Sequence, residues 1–210
     1  GAAVTTGIQN TLIGGLAGDA LTDADYNVAV GLSALGADTL GSKTVAIGYG
    51  TLGSQNFTSA TDTHNTGVGY NAGVAVTTGY NNTLIGGLAG DAITTGHSNT
   101  TLGVSSLGIN TTGIYNLALG ISALESNTTA SYNTAVGSRS LEDNTTGGYN
   151  SAFGYFALAA NTTGTDNVAV GANALDANTT ASNNTAVGDN ALGANTTGTG
   201  NSALGADALD

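Results

Sequence analysis

NVAVGANALDANTTASN, residues 167–183, is followed without a break by NTAVGDNALGANTTGTG, residues 184–200. The shared phrase extends through the whole chain. Anchored on Asn-x-Ala-Val-Gly, it occurs twelve times, its Gly falling at Gly14, Gly31, Gly48, Gly69, Gly86, Gly103, Gly120, Gly137, Gly154, Gly171, Gly188 and Gly205. Ten of the eleven intervals are 17 residues; the exception, Gly48 to Gly69, is 21. Counting each unit from its Asn as position 1, position 4 is always apolar, position 5 always Gly and position 9 Leu in nine copies, with Thr-Thr common at 13 and 14. Seventeen residues are too few for a helical hairpin, and Val, Thr and Gly-rich turns disfavour helix. The period therefore predicts an all-β fold: a β-solenoid (parallel β-roll) of twelve ~17-residue coils, with one four-residue insertion between Gly48 and Gly69. Two short β runs per coil are expected, each coil bonding to the next at about 4.8 Å.

The departures from the phrase locate its interior. Position 9 loses its Leu at Gly18, Gly73 and Gly90, and in those copies position 12 becomes Leu21, Val76 and Ile93. From Asn110 onward position 12 is Asn: Asn110, Asn127, Asn144, Asn161, Asn178 and Asn195. One large apolar group per coil is kept at a changed address, which dense packing demands if both positions border one space. Positions 9 and 12 are thus expected to point inward, together with position 4: Ile13, Val30, Ile47, Val68, Ile85, Leu102, Leu119, Val136, Phe153, Val170, Val187 and Leu204. The Asn of position 12 is expected to form a ladder at an inner turn, amide to amide. Ala at position 3 and Gly at position 5 then share the opposite, outer side of the strand. That flat ribbon suits either a subunit interface or a tight bend.

Composition narrows the function. Lys43 and Arg139 are the only cations against fourteen Asp and Glu, a net charge of −12. Such a chain is a poor partner for nucleic acid or an anionic membrane. No apolar run is long enough to insert into a membrane, and the first residues lack the basic and apolar regions of a signal peptide. Cysteine is absent, so no disulfide, thiol nucleophile or thiolate metal site is available.

The strand phrases NVAVG at Asn27 and Asn167 and TVAIG at Thr44 resemble the left-handed parallel β-roll heads of trimeric autotransporter adhesins. The longer NTAVG..AL..NTTG resembles repeats of phage tail fibres and related bacterial surface fibres. The likeness covers essentially all of residues 1–210, taken as a single repeat domain. It implies a homotrimer, exposure on a bacterial cell surface or virion surface outside the cell, and adhesion to a cell-surface glycan or protein receptor. The period here is longer than that of the usual head repeat. Gly1 falls on position 9 and Asp210 on position 10, so both ends are mid-repeat and uncapped, as in a piece of a longer fibre or a unit polymerising end to end.

Few residues carry chemistry. Asp19, Asp23, Asp25 and Asn27 resemble the opening of a calcium loop but lack its Gly and closing Glu. His64 and His97 have no acid or nucleophile at fixed spacing, and the hydroxyl ladders have no base. Glu125 and Glu142 share position 10 with Asp143 and Arg139 nearby, as solvated surface charge would. The glycine runs GGLAG at Gly14 and Gly86 lack the Lys of a phosphate loop. Recognition candidates are Asn56, Phe57, Thr58 and His64 in the insertion, and Tyr115, Tyr132 and Tyr149, which hold position 17 in consecutive coils. Those tyrosines fit either an inter-coil ladder or a glycan-stacking stripe.

The expected function is therefore non-enzymatic, without cofactor unless calcium: a rigid adhesive fibre segment. The alternatives are an end-to-end filament subunit, an ice-binding solenoid, and last a polysaccharide-cleaving solenoid, which lacks its acid cluster. For ice binding, adjacent Thr-Thr at 13 and 14 would send its hydroxyls to opposite faces.

Overall fold

The computed structural model describes residues 1–209; Asp210 lies outside the described residues. Positions 2–4 of every unit form a three-residue strand. In chain order these are β1 (Thr11–Ile13), β2 (Val28–Val30), β4 (Val45–Ile47), β6 (Thr66–Val68), β7 (Thr83–Ile85) and β8 (Thr100–Leu102). They continue as β9 (Leu117–Leu119), β10 (Thr134–Val136), β11 (Ser151–Phe153), β12 (Val168–Val170), β13 (Thr185–Val187) and β14 (Ser202–Leu204). All twelve lie in one parallel sheet in sequence order. Each strand pairs with its equivalent one unit on, as in Thr134 with Ser151, Ala135 with Ala152 and Val136 with Phe153. The insertion does not break this register, since Val45 pairs with Thr66 and Ile47 with Val68. The chain is a β-solenoid about 55 Å long at ordinary strand spacing.

The expected second β run is not a strand. After position 5 the chain turns continuously, and only the insertion adds a second pairing, β3 (Gly41–Ser42) with β5 (Thr61–Asp62). The turns are built from left-handed residues at positions 7, 9 and 17, for example Ser122 (φ 54), Leu141 (φ 51) and Tyr132 (φ 63). Inter-coil bonding nevertheless continues around the coil: Gly137 and Arg139 donate to Leu119 and Ile121 of the coil before. Leu141 and Thr145 donate to Ala157 and Thr162 of the coil after. A narrow coil thus keeps its backbone polar groups paired without long strands.

The strand presents the face opposite to the one predicted. Position 3 points inward: Ala29, Ala46, Ala118, Ala135, Ala152, Ala169 and Ala186 are fully buried. Position 4 points out. Leu204, Ile13, Leu102, Phe153, Ile47 and Val170 are exposed, and Val30, Val68, Ile85, Leu119, Val136 and Val187 are only half-buried. Placing position 4 in the core assumed that the larger apolar side chain goes inside. The coil is too narrow for that, because Leu at position 9 already fills the space facing the strand. The exceptions show the volume rule at work. Where position 9 is Gly18, position 3 is Leu12, and a Cβ on Gly18 would lie 2.7 Å from Leu12 Cδ2 and 2.8 Å from Leu21 Cδ1. Where it is Gly90, Leu84 and Ile93 take the room, at 2.9 and 2.7 Å from such a Cβ. Positions 3, 9 and 12 share one column, so the predicted exchange between 9 and 12 is a three-way exchange.

Two amide columns line the core. The position 12 column is as expected: Asn127, Asn144, Asn161 and Asn178 each donate Nδ2 to the Oδ1 of the preceding Asn at 2.8–3.0 Å. The position 1 column performs a second task. Asn133 Oδ1 accepts the backbone N–H of Asn150 at 2.9 Å while its Nδ2 donates to Gly147 O at 2.9 Å. Each buried amide therefore pairs a backbone group that the turn would otherwise orphan. One inward hydroxyl, Thr101 Oγ1 at position 3, has no partner.

Glycine at position 5 is required by stacking, not by an exposed ribbon. Gly137 has φ 135, and a Cβ on it would sit 2.3 Å from Gly154 O of the next coil. The Ala and Gly of positions 3 and 5 thus face the core and the neighbouring coil of the same chain, which removes them as an outer subunit interface.

Candidate functional surfaces

With position 3 turned inward, positions 2 and 4 of all twelve strands form the outer face of the sheet. It carries Thr, Ser, Val, Ile, Leu and Phe, and no charged side chain. Position 6 extends it with exposed Leu32, Tyr49, Tyr70, Val104, Ile121 and Tyr155. Tyr49 and Tyr70 stack at 5.5 Å. Positions 2 and 4 are uncharged, and position 6 adds one carboxylate, Asp189; on a chain of net charge −12 that is not ordinary solvated surface.

The position 17 tyrosines do come together. Tyr115 and Tyr132 stack at 5.3 Å, and Tyr132 and Tyr149 at 4.9 Å, with planes 12° and 8° apart. The column continues through His97, edge-on to Tyr115 at 5.6 Å, to Tyr80, which stacks on His97 at 4.6 Å. His97 and Tyr80 occupy position 16, one residue out of the expected register, so a search confined to position 17 missed them. Within the tyrosine run the ring faces meet one another, leaving ring edges outward. That geometry serves coil-to-coil cohesion directly.

The insertion does not display Phe57, a recognition candidate, which is buried at 7% exposure as in a bulge packed on its own coil. Phe57 N–H is held by Asp38 Oδ1 at 3.0 Å. Asn56, Thr58 and His64 are exposed, with Asn56 Oδ1 accepting from Thr39 Oγ1 at 3.1 Å. Beneath them lies a group that the repeat analysis did not single out. Asp38 and Gln55 hold position 12 between Leu21 and Val76, Thr44 replaces Asn at position 1, and all three are fully buried. Gln55 Nε2 donates to Asp38 Oδ2 at 2.6 Å and to Thr44 Oγ1 at 3.0 Å, while its Oε1 accepts from Asn65 Nδ2 at 2.8 Å. Thr44 and Thr63 hydroxyls meet at 2.6 Å. The signal was available, since Thr44 interrupts the position 1 column and Asp38 and Gln55 are polar where the flanking coils have Leu21 and Val76.

The calcium-like residues do not converge. Asp19 accepts from Ala2 N–H, Asp23 from Thr6 Oγ1 and Asp25 from Ile8 N–H, each toward the preceding coil. Asn27 is buried in the position 1 column, donating to Gly41 O at 3.0 Å. Among the described residues no three His, Cys, Asp or Glu side chains form a metal-sized group. On another side, burial raises the Asp91 carboxyl above its usual range, against its own backbone hydrogen bond, with Glu125 adding repulsion. Glu142 is raised chiefly by burial too; Arg139 opposes the shift, and Asp143 and Glu125 add to it. Arg139 Nε lies 3.6 Å from Glu142 Oε1 and its guanidinium sits over the Phe156 ring. The Thr of position 13 commits its hydroxyl to the next coil, as Thr145 Oγ1 does to Thr162 O at 2.9 Å. Only position 14, such as Thr112, Thr129 and Thr146, is left exposed.

The described residues enclose no pocket, and no helix is long and apolar enough to cross a membrane. Comparison with family models, curated proteins and solved structures returns no match to this chain.

Proposed function

We propose that this chain is a non-catalytic segment of an adhesive fibre exposed on a bacterial cell or virion surface, three copies associating through the outer face of the twelve-stranded sheet. The observation that carries the proposal is that face. It is continuous over all twelve rungs, with an apolar residue at every position 4 and no charge at positions 2 and 4, on an otherwise acidic chain. Twelve rungs of strand plus position 6 offer about 700 Å² per chain at ordinary strand dimensions, close to the ~800 Å² per partner of stable complexes. Copies of one chain share the same rung spacing, so their faces can match along the full length. The rod then acts geometrically, holding receptor-contacting side chains at a distance from the parent body. Contact with a glycan or protein receptor falls to surfaces away from the sheet.

Light scattering over a concentration series tests this. A fixed mass of three chains, reduced to one chain by Leu102→Glu on the exposed face, supports the proposal. A single-chain mass for the unaltered protein defeats it. A mass that grows without limit and ignores Leu102→Glu favours end-to-end polymerisation.

A further inference from the structure

The position 1 Asn column is interrupted once, at Thr44, and Asp38 and Gln55 adjoin it from position 12, where the neighbouring coils carry Leu21 and Val76. These polar residues continue no ladder. They place a hydroxyl, a primary amide and a carboxylate in one fully buried cluster. Gln55 Nε2 donates to Thr44 Oγ1 at 3.0 Å, which sets the hydroxyl against the amide, one bond from its acyl carbon. Asn65 Nδ2 donates to the Gln55 carbonyl oxygen at 2.8 Å, where negative charge would develop on attack. Asp38 Oδ2 holds the Gln55 nitrogen at 2.6 Å, which suits a departing nitrogen gaining positive character. Thr63 Oγ1, 2.6 Å from Thr44 Oγ1, fixes the hydroxyl on its other side.

We propose that Thr44 and Gln55 join in an intramolecular ester. The new bond runs from Thr44 Oγ1 to Gln55 Cδ, the Cδ–Nε2 bond breaks, and the Thr44 hydroxyl proton leaves with the nitrogen as ammonia. No redox change and no co-reactant is involved. Two features favour the reaction. The partners are held together in one folded site, which replaces a bimolecular encounter by an effectively unimolecular step. The cluster is fully buried, so the product ester is shielded from hydrolysis while ammonia escapes to bulk water. The bond would tie position 1 to position 12 of the coil that carries the insertion, just ahead of the four residues added between Gln55 and Asn65. The inference stands apart from the proposed oligomer, since it concerns one chain alone.

Intact mass spectrometry of the purified, denatured 210-residue chain is the test. The expected mass is lower than the sequence mass by one ammonia, and hydroxylamine, which cleaves the ester to a free Thr44 hydroxyl and a Gln55 hydroxamate, should replace the deficit by a gain of one oxygen over the sequence mass. Peptide fragmentation should show no backbone cleavage products between Thr44 and Gln55 until that treatment. Thr44→Val should carry the full mass, whereas Thr44→Ser, which keeps a hydroxyl, should retain the deficit. A full mass for the unaltered chain overturns the proposal. So does a deficit that survives in Thr44→Val, because an asparagine succinimide elsewhere, which hydroxylamine also opens, would then account for it, and so does one that resists hydroxylamine, which an ester does not.

Discussion

The coils from Asn99 to Asn195 and the coil carrying the insertion solve one problem in two ways. Each must bury polar backbone at an inner turn while stacking on neighbours a single strand spacing away. The regular coils use identical rungs: Asn127, Asn144 and Asn161 pass one hydrogen bond along the column, and each also donates to a turn carbonyl. The insertion coil and the one before it use unlike residues, with Asp38 accepting three N–H groups, from Gly41 of its own coil and from Phe57 and Gln55 of the next. Periodic amides work only when the next coil has the same length. Where four residues are added, the carbonyls move out of step and an acceptor-only carboxylate gathers the donors instead. What the two regions keep in common is the sheet, whose strands pair in register on both sides of the insertion.

That common element is the place to break both regions at once. Gly48 and Gly137 each leave room for the next coil's carbonyl oxygen, which a Cβ would approach to 2.2 and 2.3 Å at φ 134 and 135. Gly48→Ala and Gly137→Ala should each cost at least about 3 kcal/mol in denaturant unfolding, strain adding to overlap. Gly87→Ala, where a Cβ meets nothing within 4 Å, should stay within about 0.5 kcal/mol. A tolerated Gly48→Ala would show that the stack loosens at the insertion.

The next largest effect separates the regions. Asn144→Ala leaves the Oδ1 of Asn127 without its donor and Asn161 Nδ2 with one of its two acceptors, beside a cavity in the core, and should cost about 2–4 kcal/mol. Asp38→Asn keeps an oxygen for the Gly41 and Phe57 N–H groups and disturbs only the Gln55 contact, so a loss of about 1–2 kcal/mol is expected. Equal losses in thermal melts would erase the distinction between a repeating ladder and a local network.

The smallest effect lies on the acidic flank of the regular coils. Burial raises the Glu142 carboxyl in the folded chain, so its charged form is penalised there. Stability from this group is greatest below the unfolded-state carboxyl pKa of about 4.3 and declines as pH rises through the folded value. Glu142→Gln should therefore stabilise the chain at pH 7, by no more than about 0.5 kcal/mol. The gain should vanish below about pH 4 when melts are compared across pH. A gain that persists in acid would assign the effect to packing.

The period, the parallel stack and the position 12 column were legible because each repeats and because exchanges between positions report shared space. The facing of the strand was not. Val30 and Ile47 alternate with Ala29 and Ala46, and alternation alone does not say which set is inside. The deciding fact was interior width, visible only where Leu12 and Leu84 replace Ala as Gly18 and Gly90 replace Leu. Left-handed turns were hidden as well, since Leu at position 9 is not a residue that advertises positive φ. The tyrosine column was half visible, because Tyr80 and His97 join it from the adjacent position.

Coil-to-coil bonding at a separation of 17 residues has a further consequence, in time rather than in space. Most all-β proteins must bring distant segments together before any pairing is rewarded, and they fold slowly for that reason. Here each coil meets its successor as soon as that successor has been made. The sequence separation divided by the 210-residue length is about 0.08, a relative contact order in the range of helical bundles. Assembly can thus begin at any rung and spread along the chain like a zipper. The coil that spans Gly48 to Gly69, with its longer loop and its unlike residues, is where that spreading should pause.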